Sequence, residues 1–129
     1  MQNNREKELE HARVNSKNYP DLVNNLKKIG ITGYVFEVAS QVMIYRYNDD
    51  SIFIKNPLEK RTLTINPDFN EEKIKVALEN NQQGRTDFPT FLKESAEAGI
   101  KLYDADFKEM VVSYYATNNL YVESIPRQD

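Results

Sequence analysis

Apolar residues recur at helical spacing in two well-separated stretches of the chain. Leu22, Val23, Leu26 and Ile29 form one stripe, and Phe88, Phe91, Leu92 and Ala96 form the other. Each stretch opens on a residue suited to cap a helix, Asn18 or Asp87. Pro20 or Pro89 follows in the first turn, where a missing N–H costs little. Gly30 and Gly99 stand just past the stripes, where helices commonly end in a left-handed residue, and an isoleucine follows each at once. A preceding helix is predicted in each half. Asp68 and Glu71 have the spacing of a capping box, and Ile74, Ala77 and Leu78 mark a stripe running to about Gln83. Its counterpart, roughly Asn3 to Val14, has only Leu9, Ala12 and Val14 to bury, which predicts fraying.

After each glycine the period shortens to that of strands. The segments are Ile31 to Ala39, Val42 to Tyr47 and Ser51 to Lys55, then Lys101 to Asp106, Met110 to Ala116 and Leu120 to Ile125. Asn48-Asp49-Asp50 and Asn118-Asn119 supply residues that tolerate the positive φ of tight hairpins. A further strand, Arg61 to Ile65, is expected to bridge the halves. The fold class is α+β, with antiparallel meander sheet.

The second half repeats the first at an offset of 69 residues. Pro20, Gly30, Ile31, Tyr34, Val42, Tyr45 and Pro57 recur without gaps as Pro89, Gly99, Ile100, Tyr103, Val111, Tyr114 and Pro126, and Leu9-Glu10 recurs as Leu78-Glu79. A tandem ααβββ duplication follows, with residues 2–58 expected to superpose on 71–127 by a near-twofold rotation. At 129 residues the chain is a single domain, so both repeats share one core.

Composition narrows the function without naming it. Seventeen basic and 20 acidic side chains leave a net charge of −3, which provides no broad attraction to nucleic acid or anionic membrane. With no cysteine and a single histidine, His11, in a polar stretch, neither thiolate chemistry nor a metal site is expected. No apolar run approaches the ~20 residues of a membrane span. The expected setting is cytoplasmic, with no cofactor.

Three constellations are candidates for chemistry. Alternation puts Tyr34, Phe36 and Val38 on one face, matched by Tyr103, Ala105 and Phe107; Met43, Tyr45 and Tyr47 share another, matched by Val112, Tyr114 and Ala116. Tyr34, Tyr45, Tyr103 and Tyr114 either line the core or form a paired aromatic pocket at the seam of the repeats. Asp104 and Asp106 share a strand face, and Glu37 holds the position equivalent to Asp106. Such carboxylates, with Tyr115 or Arg46 nearby, are the alternative of an enzyme. In the loop Gln82 to Asp87, Gly84 and Arg85 precede a helix start, the setting of an anion site or of a plain helix-to-helix turn capped by Asp87. There is no Walker loop, GxGxxG, GxSxG or HExxH.

The series Gln83-Gly84-Arg85-Thr86-Asp87-Phe88-Pro89-Thr90-Phe91, Ala96-Glu97-Ala98-Gly99-Ile100, Ser113-Tyr114-Tyr115 and Val122-Glu123-Ser124-Ile125-Pro126 resembles the YdfO-like family of small bacterial and prophage proteins. That family is a domain of unknown function often labelled phage envelope protein. Its members often carry a histidine where this chain has Asn81 or Gln82, cysteines at Leu92 and near Val112, and a tryptophan at Tyr103. The apolar replacements suit packing positions. The resemblance implies a prophage-type protein of no established activity, either a phage structural or host-interaction protein or, as the residues favour, a non-enzymatic binding or regulatory module. Its partner would be a protein or small molecule.

Overall fold

The strand segments assemble into one antiparallel sheet in the computed structural model, which describes residues 2–57 and 62–126. The elements run α1 (Gln2–Val14), α2 (Tyr19–Lys28), β1 (Ile31–Glu37), β2 (Val42–Tyr47), β3 (Ile52–Lys55), α3 (Glu71–Gln82), α4 (Phe88–Glu97), β4 (Leu102–Asp106), β5 (Val111–Tyr115) and β6 (Leu120–Ser124). The sheet order is β3-β2-β1-β4-β5-β6, so the two meanders join through β1 and β4. Their register pairs Gly33 with Asp106, Val35 with Asp104 and Glu37 with Leu102. Val38 N–H to Lys101 O (2.9 Å) and Phe107 N–H to Thr32 O (3.0 Å) extend the pairing at both ends.

Local chemistry sets the helix ends. Asn18 Oδ1 accepts from Asp21 N–H and Asp87 Oδ1 from Thr90 N–H, each at 2.9 Å. The α3 cap is not the expected Asp68 but Asn70, which accepts from Lys73 N–H at 3.0 Å. The reason lies in the preceding turn, which docks on the end of α4 instead of starting a helix. Asn66 N–H donates to Ala96 O, Asn66 Nδ2 to Glu97 O and Asn70 N–H to Ala98 O, each at 2.9 Å, so carbonyls that α4 leaves open are satisfied. Gly99, at φ +88°, completes the stop, its N–H on Ala96 O (3.1 Å) while Ile100 N–H reaches Ser95 O (3.0 Å). A Cβ on Gly99 would lie 2.7 Å from Asp68 O. The helix stop and the docked turn therefore require the same glycine.

All four helices lie on one face of the sheet. Tyr34, Phe36 and Tyr47 from the first meander and Tyr103 and Glu123 from the second all touch helical side chains. The core between the layers holds Leu9, Val23, Leu26, Ile31, Val38, Ile74, Ile100 and Phe107, all but excluded from solvent. Helix α1 does not rest on its short stripe alone, for Val14 is exposed. Arg5 pins it to the β2–β3 hairpin, donating to Ser51 Oγ at 2.7 Å with its guanidinium 3.9 Å above the Tyr47 ring.

Three further expectations need correction. Of the strand predicted over Arg61 to Ile65, Arg61 falls outside the described residues and 62–65 run as coil beside the sheet, tied by Leu63 N–H to Ala39 O at 3.0 Å. The offset of 69 also stops at β5. Arg46 pairs with Ile52, but Tyr115 pairs with Leu120, so the last hairpin is one residue shorter and register matches Ile52-Phe53-Ile54-Lys55 to Leu120-Tyr121-Val122-Glu123. Turn geometry differs too. Positive φ occurs at Asp50 as expected, but in the second half at Met110, the counterpart of Gln41, and not at Asn118 or Asn119.

The central pairing makes a test. A Cβ on Gly33 would sit 2.3 Å from Ala105 O, a collision with backbone that no side-chain movement relieves. Gly33→Ala is expected to lower the unfolding free energy by about 1–3 kcal/mol in urea denaturation, as overpacking does. An unchanged midpoint would mean that β1 and β4 do not approach this closely.

Candidate functional site

The four tyrosines singled out by alternation all point from the sheet toward the helices and are buried, none more than 8 % exposed. Tyr34 packs on Tyr45 and Tyr103 on Tyr114, with ring centroids 6.1 and 5.0 Å apart. Phe36 links the halves, 5.6 Å from Tyr103. Two hydroxyls have clear partners. Tyr34 and Tyr19 share a hydrogen bond of 2.6 Å between their phenol oxygens, and Tyr103 donates at 2.6 Å to Ser95 Oγ, which itself donates to Phe91 O at 2.8 Å. Burial pushes the phenols of Tyr19, Tyr34, Tyr45, Tyr103 and Tyr114 above the ordinary tyrosine range. For Tyr114, the neighbouring Tyr34 and Glu123 add to it. Glu123, inward-facing on β6, accepts from Gln82 Nε2 at 2.5 Å, and partial burial raises its own pKa.

Arg85 stands on the exposed α3–α4 turn with its guanidinium donating to Asn80 Oδ1 at 3.1 Å. Gly84 supplies a positive φ there and the Asp87 carboxylate occupies the start of α4, so the segment has the form of a capped turn. Hydrogen bonds from Thr90 hold that carboxyl below its usual range.

The carboxylates lie on the opposite, outward face, with Asp104 midway between the other two. Glu37 pairs with Leu102, and Asp106 is four residues farther along β4, about 13 Å at the usual rise of a strand. Glu37 accepts from Ser40 Oγ (2.5 Å), and Asp106 from the N–H groups of Lys108 (2.9 Å) and Glu109 (3.1 Å), so each holds a turn. Among the described residues, Asp104 meets a cation, with Arg46 Nη1 at 3.7 Å across β1. Around them the outward face is apolar. Ile52 and Ile54 on one edge strand and Leu120 and Val122 on the other are 50–52 % exposed, and Tyr115 is 39 % exposed. Among the described residues, no three histidines or carboxylates gather to hold a metal, and no helix is long and apolar enough to cross a membrane.

A family profile described as a protein of unknown function, DUF1398, matches residues 7–124. The chain belongs to this family. No curated protein matches it. The DUF1398 match spans both meanders and all four helices save the first residues of α1, so neither face of the sheet lies outside it.

Sequence patterns missed four participants in this DUF1398 domain. Tyr19 and Ser95 lie within helical stripes, and nothing local tells that their hydroxyls meet Tyr34 and Tyr103. Gln82 and Glu123 come from distant segments. The outward apolar face did carry a signal: Ile52-x-Ile54 and Leu120-x-Val122 put aliphatic residues on the same face of each edge strand, while Phe53 and Tyr121 are the residues that turn inward.

The raised phenol pKa values fix the sign of a pH effect. A folded-state pKa above the unfolded value of about 10 gives stability that is complete below pH 10 and declines as pH rises toward the folded values. Alkaline titration is expected to show tyrosinate absorbance rising in a delayed step that coincides with loss of circular dichroism. Smooth ionisation near pH 10 with the fold intact would mean that the seam is open to solvent.

Proposed function

We propose that this protein is a non-enzymatic binding module that engages another protein through the outward face of its sheet. The observation that carries the reading is the failure of the usual alternation: antiparallel strands with one solvated face place polar residues there, whereas both edge strands here present aliphatic side chains to water. Glu37 and Asp106 stand at opposite ends of that face, with Asp104 between them and drawn to Arg46, an arrangement that supports the non-enzymatic reading. A cytoplasmic protein of phage or prophage type is the setting we infer, supported by the motif resemblance and a chain without cysteine.

We further infer that the chain arose by tandem duplication with a pseudo-twofold axis through Val35 and Asp104. Support comes from the register. Adding 69 to one partner of the β1–β4 ladder and subtracting it from the other returns the same ladder, with Val35↔Asp104 mapped onto itself, and it exchanges the Val38–Lys101 and Phe107–Thr32 hydrogen bonds.

Replacing Ile52, Ile54, Leu120 and Val122 together by threonine tests the docking face. The variant is expected to fold with a change of no more than about 0.5 kcal/mol per site, while binding of an apolar fluorescent dye falls. Cooperative loss of stability would instead make these side chains part of the fold's own core.

A second reading, a small ligand held at the tyrosine seam, draws support from Glu123, a half-buried carboxylate near the phenols of Tyr19 and Tyr114. Mass-spectrometric ligand screening should then find a binder that Tyr34→Phe/Tyr103→Phe loses. Equal retention by the variant would sink this reading.

A further inference from the structure

The inner strands of the sheet offer a partner no free backbone. Each of the four is paired on both sides, so a segment lying on the outward face must satisfy its own N–H and C=O groups. A helix does so. At about 24 Å across six strands and about 17 Å along five residues, the face is about 400 Å² in projection, half of the about 800 Å² that a globular partner covers. That area suits one short helix and falls short of a folded domain.

Charge says what such a helix carries. Register sets Glu37 beside Leu102, Asp104 beside Val35 and Asp106 beside Gly33, a line of carboxylates along the β1–β4 boundary. Across the three rows of outward side chains that these pairs define, Arg46 is the one cation against three acids, and it stands 3.7 Å from Asp104. Aliphatic side chains flank the line, Ile44 and Ile54 toward one edge and Val111 and Val122 toward the other. A covering helix without cations would strip water from Glu37 and Asp106 and return nothing. One of the two has a place prepared for a basic side chain. Val35, Val42, Ile44 and Leu102 wall an open hollow of about 360 Å³ whose lining Glu37 and Ser40 complete. Aliphatic walls take the methylene stem of a lysine or arginine, and the carboxylate takes its head.

Resting on the reading that this face docks a protein, we propose that its occupant is an amphipathic helix of another protein, with two lysines or arginines along the centre of its apolar face. One enters the hollow against Glu37 and the other meets Asp106, while Asp104 keeps Arg46. Residues seven or eight apart on a helix lie about 10–12 Å apart along its axis, within reach of carboxylates about 13 Å apart. The aliphatic residues on either side cover the flanks.

Fluorescence anisotropy of labelled peptides with the full chain tests this. The probe is an amphipathic peptide of leucine, alanine and glutamine with two lysines seven residues apart at the centre of its leucine face. It is expected to bind, and the same peptide with glutamate for lysine to bind at least about fivefold more weakly, as is one with the lysines moved to the glutamine face. Glu37→Gln/Asp106→Asn, which keeps an oxygen for the turn hydrogen bonds, should weaken the lysine peptide at least about fivefold. Glu72→Gln/Glu97→Gln, an equal change of net charge at exposed positions on α3 and α4, should weaken it less than about twofold. Equal losses from the two double variants overturn the proposal, as does a glutamate or displaced-lysine peptide that binds as tightly. A chain that ignores the lysine peptide yet binds the apolar dye through its four edge side chains overturns the basic helix and leaves the docking reading standing; one that takes neither overturns both.

Discussion

Everything in this molecule hangs on the pairing of β1 with β4. Each meander is local and closes through short turns, but neither has a partner for its inner strand except the other. At Gly33 the two backbones come so close that the space of a methyl group is occupied by Ala105 O. This contact joins two three-stranded units, each marginal alone, into a six-stranded sheet with a shared hydrophobic layer. Phe36 against Tyr103 and Phe88 against Phe36 then carry side-chain packing across the same boundary.

That arrangement explains the use of tyrosine. A layer between sheet and helices about 10 Å thick is filled efficiently by large rings, and a phenol adds a polar tip able to reach across it. Tyr34 and Tyr103 do so with different partners, a second tyrosine in one case and a helix serine in the other. Corresponding positions of β1 and β4 thus satisfy their phenol tips in different ways.

Much of this was legible in the chain. Helix caps at Asn18 and Asp87, stops at Gly30 and Gly99, and the inward faces of the strands are written in residues a few positions apart, and the structure reproduces them. Features resting on distant contacts were not legible. The cap of α3 moved from Asp68 to Asn70 because the turn before it docks on α4, thirty residues away in sequence. The joining of β1 to β4 is invisible to periodicity, which reports which face a residue takes and not which strand lies beside it. The carboxylates show the same limit: spacing placed Glu37, Asp104 and Asp106 on one face correctly, but only register shows that Glu37 and Asp106 sit at opposite ends of it.

The one-residue difference between the outer hairpins bears on how such a sheet can change length. A slip of one residue in the pairing of β1 with β2 would turn the slipped strand over, exposing aromatic rings and burying charge. Between β5 and β6 the shorter connection, Ala116 to Asn119 instead of Tyr47 to Ser51, leaves the pleat of the edge strand in phase with its neighbour. A connection at the rim can therefore differ by one residue without turning the edge strand over. The central register carries no such slack: β1 and β4 each lie between two neighbours, so a slip there would misplace both faces at once.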